Sequence, residues 1–452
     1  MSDDRPRDRG HDGLPAAGEL RLGLRSPSFT ALVAVQFLTV LNDNAFRWLV
    51  VPIGYVLLGP EHKGLVLTLG LACFVVPYIL LAAPAGYLAD RYSKRSVIAA
   101  SMLLQSAILV LGIGAILIGS ATAMFATLAL MGAQGALLSP SKDGTVPEIM
   151  HPERVSAADG FMGMATVLAA VAGSLLGNAL YVWTAPLGKT GWWLSAATLL
   201  GISLSGWLAS LAVLGCRAAD PARTPPRHVV ARTVRDLRLL AANRALFAAA
   251  AASALFWFLA ALAQVNVYLL GTTTLHISQE EVGTLLAVLA WGVACGSVLA
   301  GVWSGKRVDP GLTPIGAAGI AVTSIMMFMV THSINAPAAY GWSLFYLFLM
   351  GVASGLYQVP LVAYLQYNSP EKVRGQILAA TNFLTFSAML VASLMFWVMR
   401  ALFGESAANI FLAAGVITTF ALVVLLSVLA RETADSLARP VRRVVRLWVR
   451  PD

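Results

Sequence analysis

An acidic and a basic residue, Asp43 and Arg47, lie in the middle of an otherwise apolar stretch that extends from about Phe29 to Leu58. A stretch of this length is typical of a membrane-spanning helix. Placing one unpaired charge at the centre of a bilayer costs roughly 2.5–3.5 kcal/mol on insertion scales. The two side chains are four residues apart, so they share one helical face and can form an ion pair.

The neighbours of this pair are also polar. Asn42 and Asn44 flank the acid, and Gln36 lies on the same helical stripe. Charge inside the membrane is a functional-site hypothesis by default, so we interpret the five residues as a substrate- and cation-binding surface that lines a polar cavity. The carboxylate and amide oxygens of this set can hold Na⁺ or, at the acid, H⁺. The alternative is a structural ion pair that joins two helices.

The composition indicates an integral membrane protein. Apolar residues make up 58% of the chain, charged residues only 12%, and the mean hydropathy is +0.75. A soluble domain carries about 25% charged residues. In a soluble protein the net charge of +9 would suggest nucleic acid as a partner. Here no nucleic-acid partner is expected, because the distribution of the charge along the chain matters more than its sum.

Apolar runs of helical length, separated by short polar loops, predict twelve membrane-spanning helices and an all-α fold. Long runs of Ala, Leu and Val without strict alternation argue against a β-barrel. The predicted spans are residues 28–58, 65–89, 96–118, 121–139, 157–183, 191–215, 245–270, 281–304, 312–332, 340–366, 375–400 and 407–430.

With these spans, most of the 31 lysines and arginines fall on one side of the membrane. Basic residues gather on the cytoplasmic side, so both termini are expected there. We expect no signal peptide, a disordered segment over 1–26, and a basic amphipathic helix over 431–452. The alternative for 431–452 is a basic end that only fixes the topology. The basic loop 217–244 divides the remainder into two six-helix bundles, 27–216 and 245–430.

The two halves have corresponding loops, which is typical of transporters built from repeated bundles. Gly86–Arg95 follows the second predicted helix, and Gly301–Arg307 follows the eighth. Pro140–Lys142 follows the fourth predicted helix, and Pro370–Gly375 follows the tenth. These loops are similar in position and character, although they do not match residue by residue.

At this point the chain resembles the major facilitator superfamily, whose signature loop between helices 2 and 3 looks like Gly86–Arg95. Ser93 stands where that family usually has a second glycine, and Gly305 stands where the second-half copy would have its acid. The resemblance implies a gate on the cytoplasmic side, and a charged turn that only obeys the positive-inside rule is the alternative. The residues predicted to form this gate are Gly86, Asp90, Arg91, Lys94, Arg95, Lys142, Glu148 and Arg374.

We expect Asp90 to cap or pair at a helix terminus, since a carboxylate is favourable beside free backbone N–H groups. Arg91, Lys94 and Arg95 are expected to bridge to a helix of the other half. Such contacts would hold the cytoplasmic side shut in one state of the protein.

Finer strings are similar to one branch of this superfamily, the lysophospholipid transporters. That resemblance implies movement of lysophospholipid across the bacterial inner membrane, for re-acylation by a separate cytoplasmic acyltransferase. Members of the branch also occur fused to acyltransferase and acyl-carrier-protein synthetase domains. The strings are Gln36-Phe37-Leu38 before Asn42-Asp43-Asn44, Ser139-Pro140-Ser141-Lys142 before Pro147-Glu148, and Pro360, Gln366, Ser369-Pro370, Arg374-Gly375 and Asn382.

A lysophospholipid has a phosphate head and one acyl chain. Arg47 can meet the phosphate by a charge-assisted bond, which would free Asp43 to bind a cation and so couple the two. The second half contributes mostly neutral polar groups, each of which can alternatively be an ordinary helix–helix contact worth about 0.6 kcal/mol. The candidates for the cavity lining are Gln264, Asn266, Tyr357, Gln358, Gln366 and Asn382.

Apparent enzyme motifs fail on their context, so no catalytic residue, resident metal or cofactor is predicted. Gly188-Lys189-Thr190 ends like a phosphate-binding loop, but Trp183 stands where the first glycine belongs. Ser139–Lys142 fits Ser-x-x-Lys, but it falls in a predicted cytoplasmic connection without accompanying motifs. Two other functions remain open: a cation-coupled transporter of a small soluble compound or drug, and a membrane scaffold that transports nothing.

Overall fold

The fold is all-α, as predicted. The computed structural model describes residues 15, 19–59, 63–226, 228–305, 308–333, 336–403 and 406–448, and this part contains no strand. The helices are α1 Pro27–Leu58, α2 Lys63–Leu80, α3 Ala82–Arg91, α4 Lys94–Ile118, α5 Ala121–Ile149, α6 Val155–Thr184, α7 Lys189–Leu211, α8 Val229–Ala242, α9 Arg244–Leu269, α10 Gln279–Ser304, α11 Leu312–Ser333, α12 Ala336–Asn368, α13 Arg374–Phe403 and α14 Ala407–Trp448.

The described helices account for the twelve predicted membrane spans. Eleven helices are long and apolar enough to cross a membrane, and α2 with α3 makes a twelfth as a broken span bent by 59°. The break at Leu81 follows from Pro84, the third residue of α3. Proline has no N–H to donate, and its ring clashes with the carbonyl four residues earlier, which is that of Leu80.

The fourth span is longer than predicted. The predicted span ends at residue 139, and Pro140 begins the predicted loop. Instead α5 continues to Ile149 through both Pro140 and Pro147. The packing of this last part outweighs the cost of the prolines: Ser141 is fully buried and Val146 belongs to a hydrophobic cluster. Lys142 therefore lies inside a helix, which corrects its placement in a loop.

Each half of the chain encloses its own apolar core. Phe46 and Leu128 belong to a buried cluster in the first half, and Leu347 and Phe411 belong to one in the second. Glycines bring α6 against α1, because a Cβ on Gly173 would collide with the backbone of Leu41 and one on Gly177 with that of Ala45. This close packing fixes the face of α1 that carries the charged residues.

The segments outside the bundles are more ordered than predicted. Residues 19–26 were expected to be disordered, but the N–H of Leu22 donates to the carbonyl of Ile149 at 2.7 Å. Leu22 also packs against a hydrophobic cluster of the first half. The predicted linker 217–244 contains helix α8. The predicted tail 431–452 continues the last span as one helix to Trp448. Its side chains, like residues 1–14, lie outside the described part.

One side of the molecule carries the turn between α3 and α4, the loop 212–228 and helix α8. We call it the basic side, because these segments carry six arginines, and Arg91, Lys94, Arg95 and Arg244 adjoin them. Hydrogen bonds that join the two halves lie toward this side, such as those from the backbone N–H groups of Gly375 and Gln376 to Asp90.

Candidate functional site

The two charged residues of α1 do not pair with each other among the described contacts. The carboxylate of Asp43 is 5% exposed and accepts a hydrogen bond from the Gln105 amide of α4 at 3.0 Å. The guanidinium of Arg47 donates to the Asn44 side-chain oxygen at 3.2 Å. Two separate polar contacts therefore replace the predicted ion pair. Asp43 contacts α4, and Arg47 contacts Asn44 of its own helix. Asn42 is fully buried, and neither of its side-chain polar atoms bonds to a described group.

A second group of polar side chains joins α1, α5 and α6. The ammonium of Lys142 donates to the side-chain oxygen of Gln36, and the amide nitrogen of Gln36 donates to the hydroxyl of Thr166. Lys142 also lies 3.4 Å from a carboxylate oxygen of Asp143. The other oxygen of Asp143 accepts from the hydroxyl of Ser139 at 3.0 Å. A lysine that the sequence placed in a gate loop thus belongs to a partly buried network inside the bundle.

The second group contacts the other half of the protein. The amide of Asn382 on α13 donates to the hydroxyl of Ser139 at 2.9 Å. Nearby, the rings of Tyr78 and Phe386 stack with their centroids 3.9 Å apart across the same boundary. We use the name inner polar cluster for Gln36, Asp43, Gln105, Ser139, Lys142, Asp143 and Thr166.

The second half contributes fewer residues to this region than predicted. Asn382 reaches the inner polar cluster, and Gln366 is 2% exposed and lies beside Asp159 of the first half. The remaining candidates do not reach it. Their contacts stay within the second half: Asn266 donates to the carbonyl of Ala407 at 2.9 Å, Tyr357 to that of Ala252 at 3.0 Å, and Gln358 to the hydroxyl of Ser253 at 2.9 Å, while Gln264 is exposed.

The basic side is closed by a contact between α3 and α13. The carboxylate of Asp90 is fully buried and accepts from the backbone N–H groups of Gly375 at 2.7 Å and Gln376 at 3.2 Å. These are the second and third residues of α13, so a negative charge lies at the positive end of that helix. One turn earlier, a Cβ on Gly86 would lie 2.9 Å from the Cα of Gln376. A residue without a side chain is needed there for the helices to meet.

The basic residues of the signature loop make contacts other than those predicted. Lys94 forms a buried ion pair with Glu148 in its own half. Arg95 donates to the carbonyl of Leu211 at 3.2 Å, also in its own half. The prediction that these residues bridge the halves is therefore wrong. Because α5 extends to Ile149, its end places Glu148 beside Lys94. The bridge runs instead from Glu148 to Arg374 of α13, whose closest nitrogen is 3.7 Å away.

Sequence reasoning missed the role of Arg223 in the central loop. Its guanidinium forms an ion pair with Asp90 and donates to the carbonyl of Lys372 in the second half at 3.2 Å. Its own carbonyl accepts from Arg91 at 2.7 Å. The backbone N–H of Asp220 donates to the carbonyl of Asp90 at 2.8 Å. No motif marks such a residue, because Arg223 is one of several arginines in a basic loop.

Helix α8 also docks on this closed side. Arg232 donates to the side-chain oxygen of Gln376 at 2.7 Å and lies 3.3 Å from a carboxylate oxygen of Asp236. Burial raises the pKa of Asp236 to about 6, against the opposing attraction of Arg232 and Arg223. The docked helix therefore contains a carboxyl that titrates close to neutral pH.

Comparison with known proteins places this geometry in context. A protein of Yersinia pestis (strain Pestoides F) named lysophospholipid transporter LplT is 28% identical over 373 residues, which cover 81% of this chain and 85% of that protein. The protein of the same name from Yersinia pseudotuberculosis serotype I (strain IP32953) gives the same values.

Solved structures share the fold at low identity. A bacterial homologue of the iron transporter ferroportin in an outward-facing state has a TM-score of 0.67 at 17% identity, covering 88% of this chain and 99% of its own. The human organic anion transporter MFSD10 has a TM-score of 0.68 at 17% identity, covering 88% and 100%. Residues 32–393 match the family described as Major Facilitator Superfamily. Together with its twelve spans, this match shows that the chain is a membrane transporter that belongs to the Major Facilitator Superfamily.

Proposed function

We propose that the protein moves lysophospholipids across the membrane by opening alternately on its two sides, with the basic side facing the cytoplasm. The observation that carries the proposal is the position of Lys142, whose ammonium lies inside a bundle, behind the closed contact of Asp90 with α13. The relatives named lysophospholipid transporter support the substrate class.

The inner polar cluster suits a phosphate head group. An ammonium has three N–H donors, of which Lys142 uses one for Gln36. The hydroxyls of Thr166 and Ser139 lie in the same network, where they donate to the Met162 carbonyl and to Asp143. Rotation of either O–H would direct its donor to a phosphate oxygen. Charge-assisted bonds are stronger than neutral ones, and a site away from bulk water strengthens them further. Arg47, about one turn from Asp43 and about three turns from Gln36 along α1, supplies a second cation for a head group that moves along the pathway.

Coupling to H⁺ or Na⁺ would use Asp43. This carboxylate lies within electrostatic range of both Lys142 and Arg47. A phosphate bound to these cations offsets their attraction for Asp43, which then binds a cation more readily. Asp43→Asn is therefore expected to abolish dependence of transport on an ion gradient while head-group binding persists. Equal loss of binding and of gradient dependence would contradict this coupling.

The direction of delivery follows from the proposed orientation. Lysophospholipid released on the basic side would reach the cytoplasmic leaflet, where a separate acyltransferase can restore its second acyl chain. This step needs no catalytic group in the transporter itself.

The test is movement of fluorescent lysophosphatidylethanolamine between leaflets of proteoliposomes, with and without a Na⁺ or H⁺ gradient. The diacyl lipid of the same head group is the substrate control. Lys142→Gln is expected to reduce the initial rate at least about tenfold, because a charge-assisted hydrogen bond contributes roughly 1.5–3 kcal/mol. Arg238→Gln, which neutralises an exposed arginine of α8, is the matched control and should keep the wild-type rate.

Two outcomes would overturn the proposal. One is wild-type protein that is folded but moves lysophospholipid no faster than empty liposomes. The other is an equal loss of rate in Lys142→Gln and Arg238→Gln, which would show that the position of the lysine inside the bundle has no role. A soluble substrate would instead be revealed by tighter binding of an organic ion than of any lysophospholipid.

A further inference from the structure

A buried carboxyl that the proposed transport step does not use lies at the boundary between the two halves. Asp159, in the second turn of α6, is 4% exposed. The side chain of Gln366, on α12 of the other half, lies beside it. One oxygen of each side chain, Oδ2 of Asp159 and Oε1 of Gln366, has no hydrogen-bond partner among the described groups. Two acceptor atoms that lack a donor are thus buried at one contact.

The boundary around Asp159 is closed by backbone packing. A Cβ on the adjacent Gly160 would lie 2.6 Å from the carbonyl oxygen of Ser297 on α10. A Cβ on Gly301 would lie 3.0 Å from the Cα of Ala157, two residues before the carboxyl. Helices that approach so closely leave no layer of water between them. Asp159 is therefore dry when the basic side is closed and becomes hydrated when α6 and α10 separate.

Among the residues that the structure describes, no cation pairs with this carboxyl. From α5, Asp143 contributes repulsion at Asp159, and its neighbour Lys142 is bonded to Gln36. From α1, the charged groups Asp43 and Arg47 bond to their own neighbours in the first half. The sequence of α12 has no charged residue, and those of α7 and α10 have theirs at the ends remote from Asp159. An ionised carboxylate buried without a cation is strongly unfavourable.

We propose that Asp159 is a proton-binding site, which takes up one proton when the basic side closes and releases it when that side opens. The carboxylate becomes a carboxylic acid, whose O–H donates to the free side-chain oxygen of Gln366. The single proton lies between Oδ2 of Asp159, which carries it, and Oε1 of Gln366, which accepts it, so both atoms gain a hydrogen-bond partner. The inference rests on the alternating opening of the proposed function, but it is independent of the lipid substrate and of Asp43.

The test measures opening without any lipid substrate. Ser297 is 2% exposed at the boundary, so Ser297→Cys reports its separation in a background where Cys73, Cys216 and Cys295 are replaced by serine. The rate of reaction with a polar maleimide is recorded in nanodiscs from pH 6 to pH 9. Each rate is divided by that of the same protein unfolded in detergent and denaturant, which removes the pH dependence of the thiol itself.

The corrected rate is expected to rise with pH, by up to about tenfold per unit, because opening releases one proton. Asp159→Asn carries a permanent amide, so its rate should be low and should not change with pH. Asp159→Ser is the second neutral variant if the asparagine protein does not fold. Glu371→Gln is the control, since it removes an exposed carboxyl of the basic side, and it should retain the wild-type slope.

The proposal is overturned if Asp159→Asn keeps the pH slope of the wild-type protein, or if the slope disappears in Glu371→Gln instead. It is also overturned if added Na⁺ at constant pH, rather than pH, sets the rate, since the site would then bind a metal cation. None of these measurements uses lysophospholipid. A negative transport assay would therefore refute the proposed substrate without refuting the proton site, and a negative maleimide assay would refute the proton site without refuting the substrate.

Discussion

The carboxylate of Asp90 accepts a hydrogen bond from the backbone N–H of Gly375 at 2.7 Å, which joins the end of α3 to the first turn of α13. A residue of one half thus satisfies N–H groups that the helix of the other half cannot satisfy within itself. Arg223 from the central loop neutralises the same carboxylate. Three segments that are far apart in the sequence therefore meet at one carboxyl, and the closed basic side depends on its charge.

Asp90→Asn is expected to favour the open basic side. The amide retains the shape of the residue but loses the charge that interacts with the α13 terminus and with Arg223. The reaction rate of Ser297→Cys should rise about tenfold, which corresponds to about 1.4 kcal/mol of lost stabilisation of the closed state. Arg223→Gln should give a smaller rise, because the backbone N–H groups of Gly375 and Gln376 still pair with the carboxylate.

The control for this change is Glu371→Gln, which neutralises an exposed carboxylate four residues before Gly375. It should leave the rate unchanged, since surface charges contribute little. An equal rise in both variants would mean that the net charge of the basic side, and not the contact of Asp90, keeps it closed.

Gly86→Ala tests whether the same contact needs direct helix-to-helix approach. The new Cβ would lie 2.9 Å from a backbone atom, the Cα of Gln376, so no side-chain rotation can relieve the collision. We expect a protein that cannot close its basic side, with faster reaction of Ser297→Cys and a transport rate reduced at least about tenfold.

Gly114→Ala on α4 is the matched control, because its Cβ would meet nothing within 4 Å. Both substitutions increase helix propensity by a similar amount, about 1 kcal/mol. Wild-type transport in Gly86→Ala would show that the two helices can separate slightly at this point without loss of function.

The sequence predicted the spans well, because each one is an apolar run of helical length bounded by polar residues. It failed at α5, where the local rule that proline ends a helix competes with the burial of Ser141 and Val146. That one error moved Lys142 from the membrane-spanning helix to a loop. Local sequence rules cannot weigh tertiary packing, so such errors are expected where a proline lies in a buried segment.

The carboxylates of the candidate site could be predicted from the sequence, but their partners could not. Asp43 and Asp90 stand out because each is a carboxylate beside apolar sequence, and the structure buries both. Their partners Gln105 and Arg223 carry no such signal, since an amide in a long helix and an arginine in a basic loop are common. Only the three-dimensional arrangement identifies which of many equivalent residues makes the contact.

Lys94→Met is expected to lower the thermal stability of the protein. The lysine and Glu148 are buried as an ion pair, and removing one partner of such a pair costs roughly 3–5 kcal/mol. The melting temperature in detergent should fall clearly for the single variant. It should recover in part in Lys94→Met/Glu148→Gln, because the neutral amide removes the buried carboxylate that has lost its lysine, although Arg374, 3.7 Å away, then loses its ion-pair partner.

The exposed Lys372 is the control for the loss of a positive charge near the same boundary, and Lys372→Met should melt like the wild-type protein. If the double variant melts no higher than Lys94→Met, the stabilisation does not come from pairing the two charges. The methylenes of the lysine, which pack against Gly144, would then be the relevant contact.

The docking of α8 is expected to depend on pH through Asp236. Its pKa is raised from 3.8 to about 6, chiefly by burial, so the docked helix binds a proton more readily than the undocked one. Docking therefore strengthens as pH falls through about 6, and this gain is lost as pH rises again. Hydrogen exchange of α8, corrected for the intrinsic pH dependence of exchange, should be up to about tenfold slower at pH 5 than at pH 7.5. Asp236→Asn should remove this difference while α4 exchanges alike in both proteins, and an unchanged difference would assign the effect to another group on the basic side.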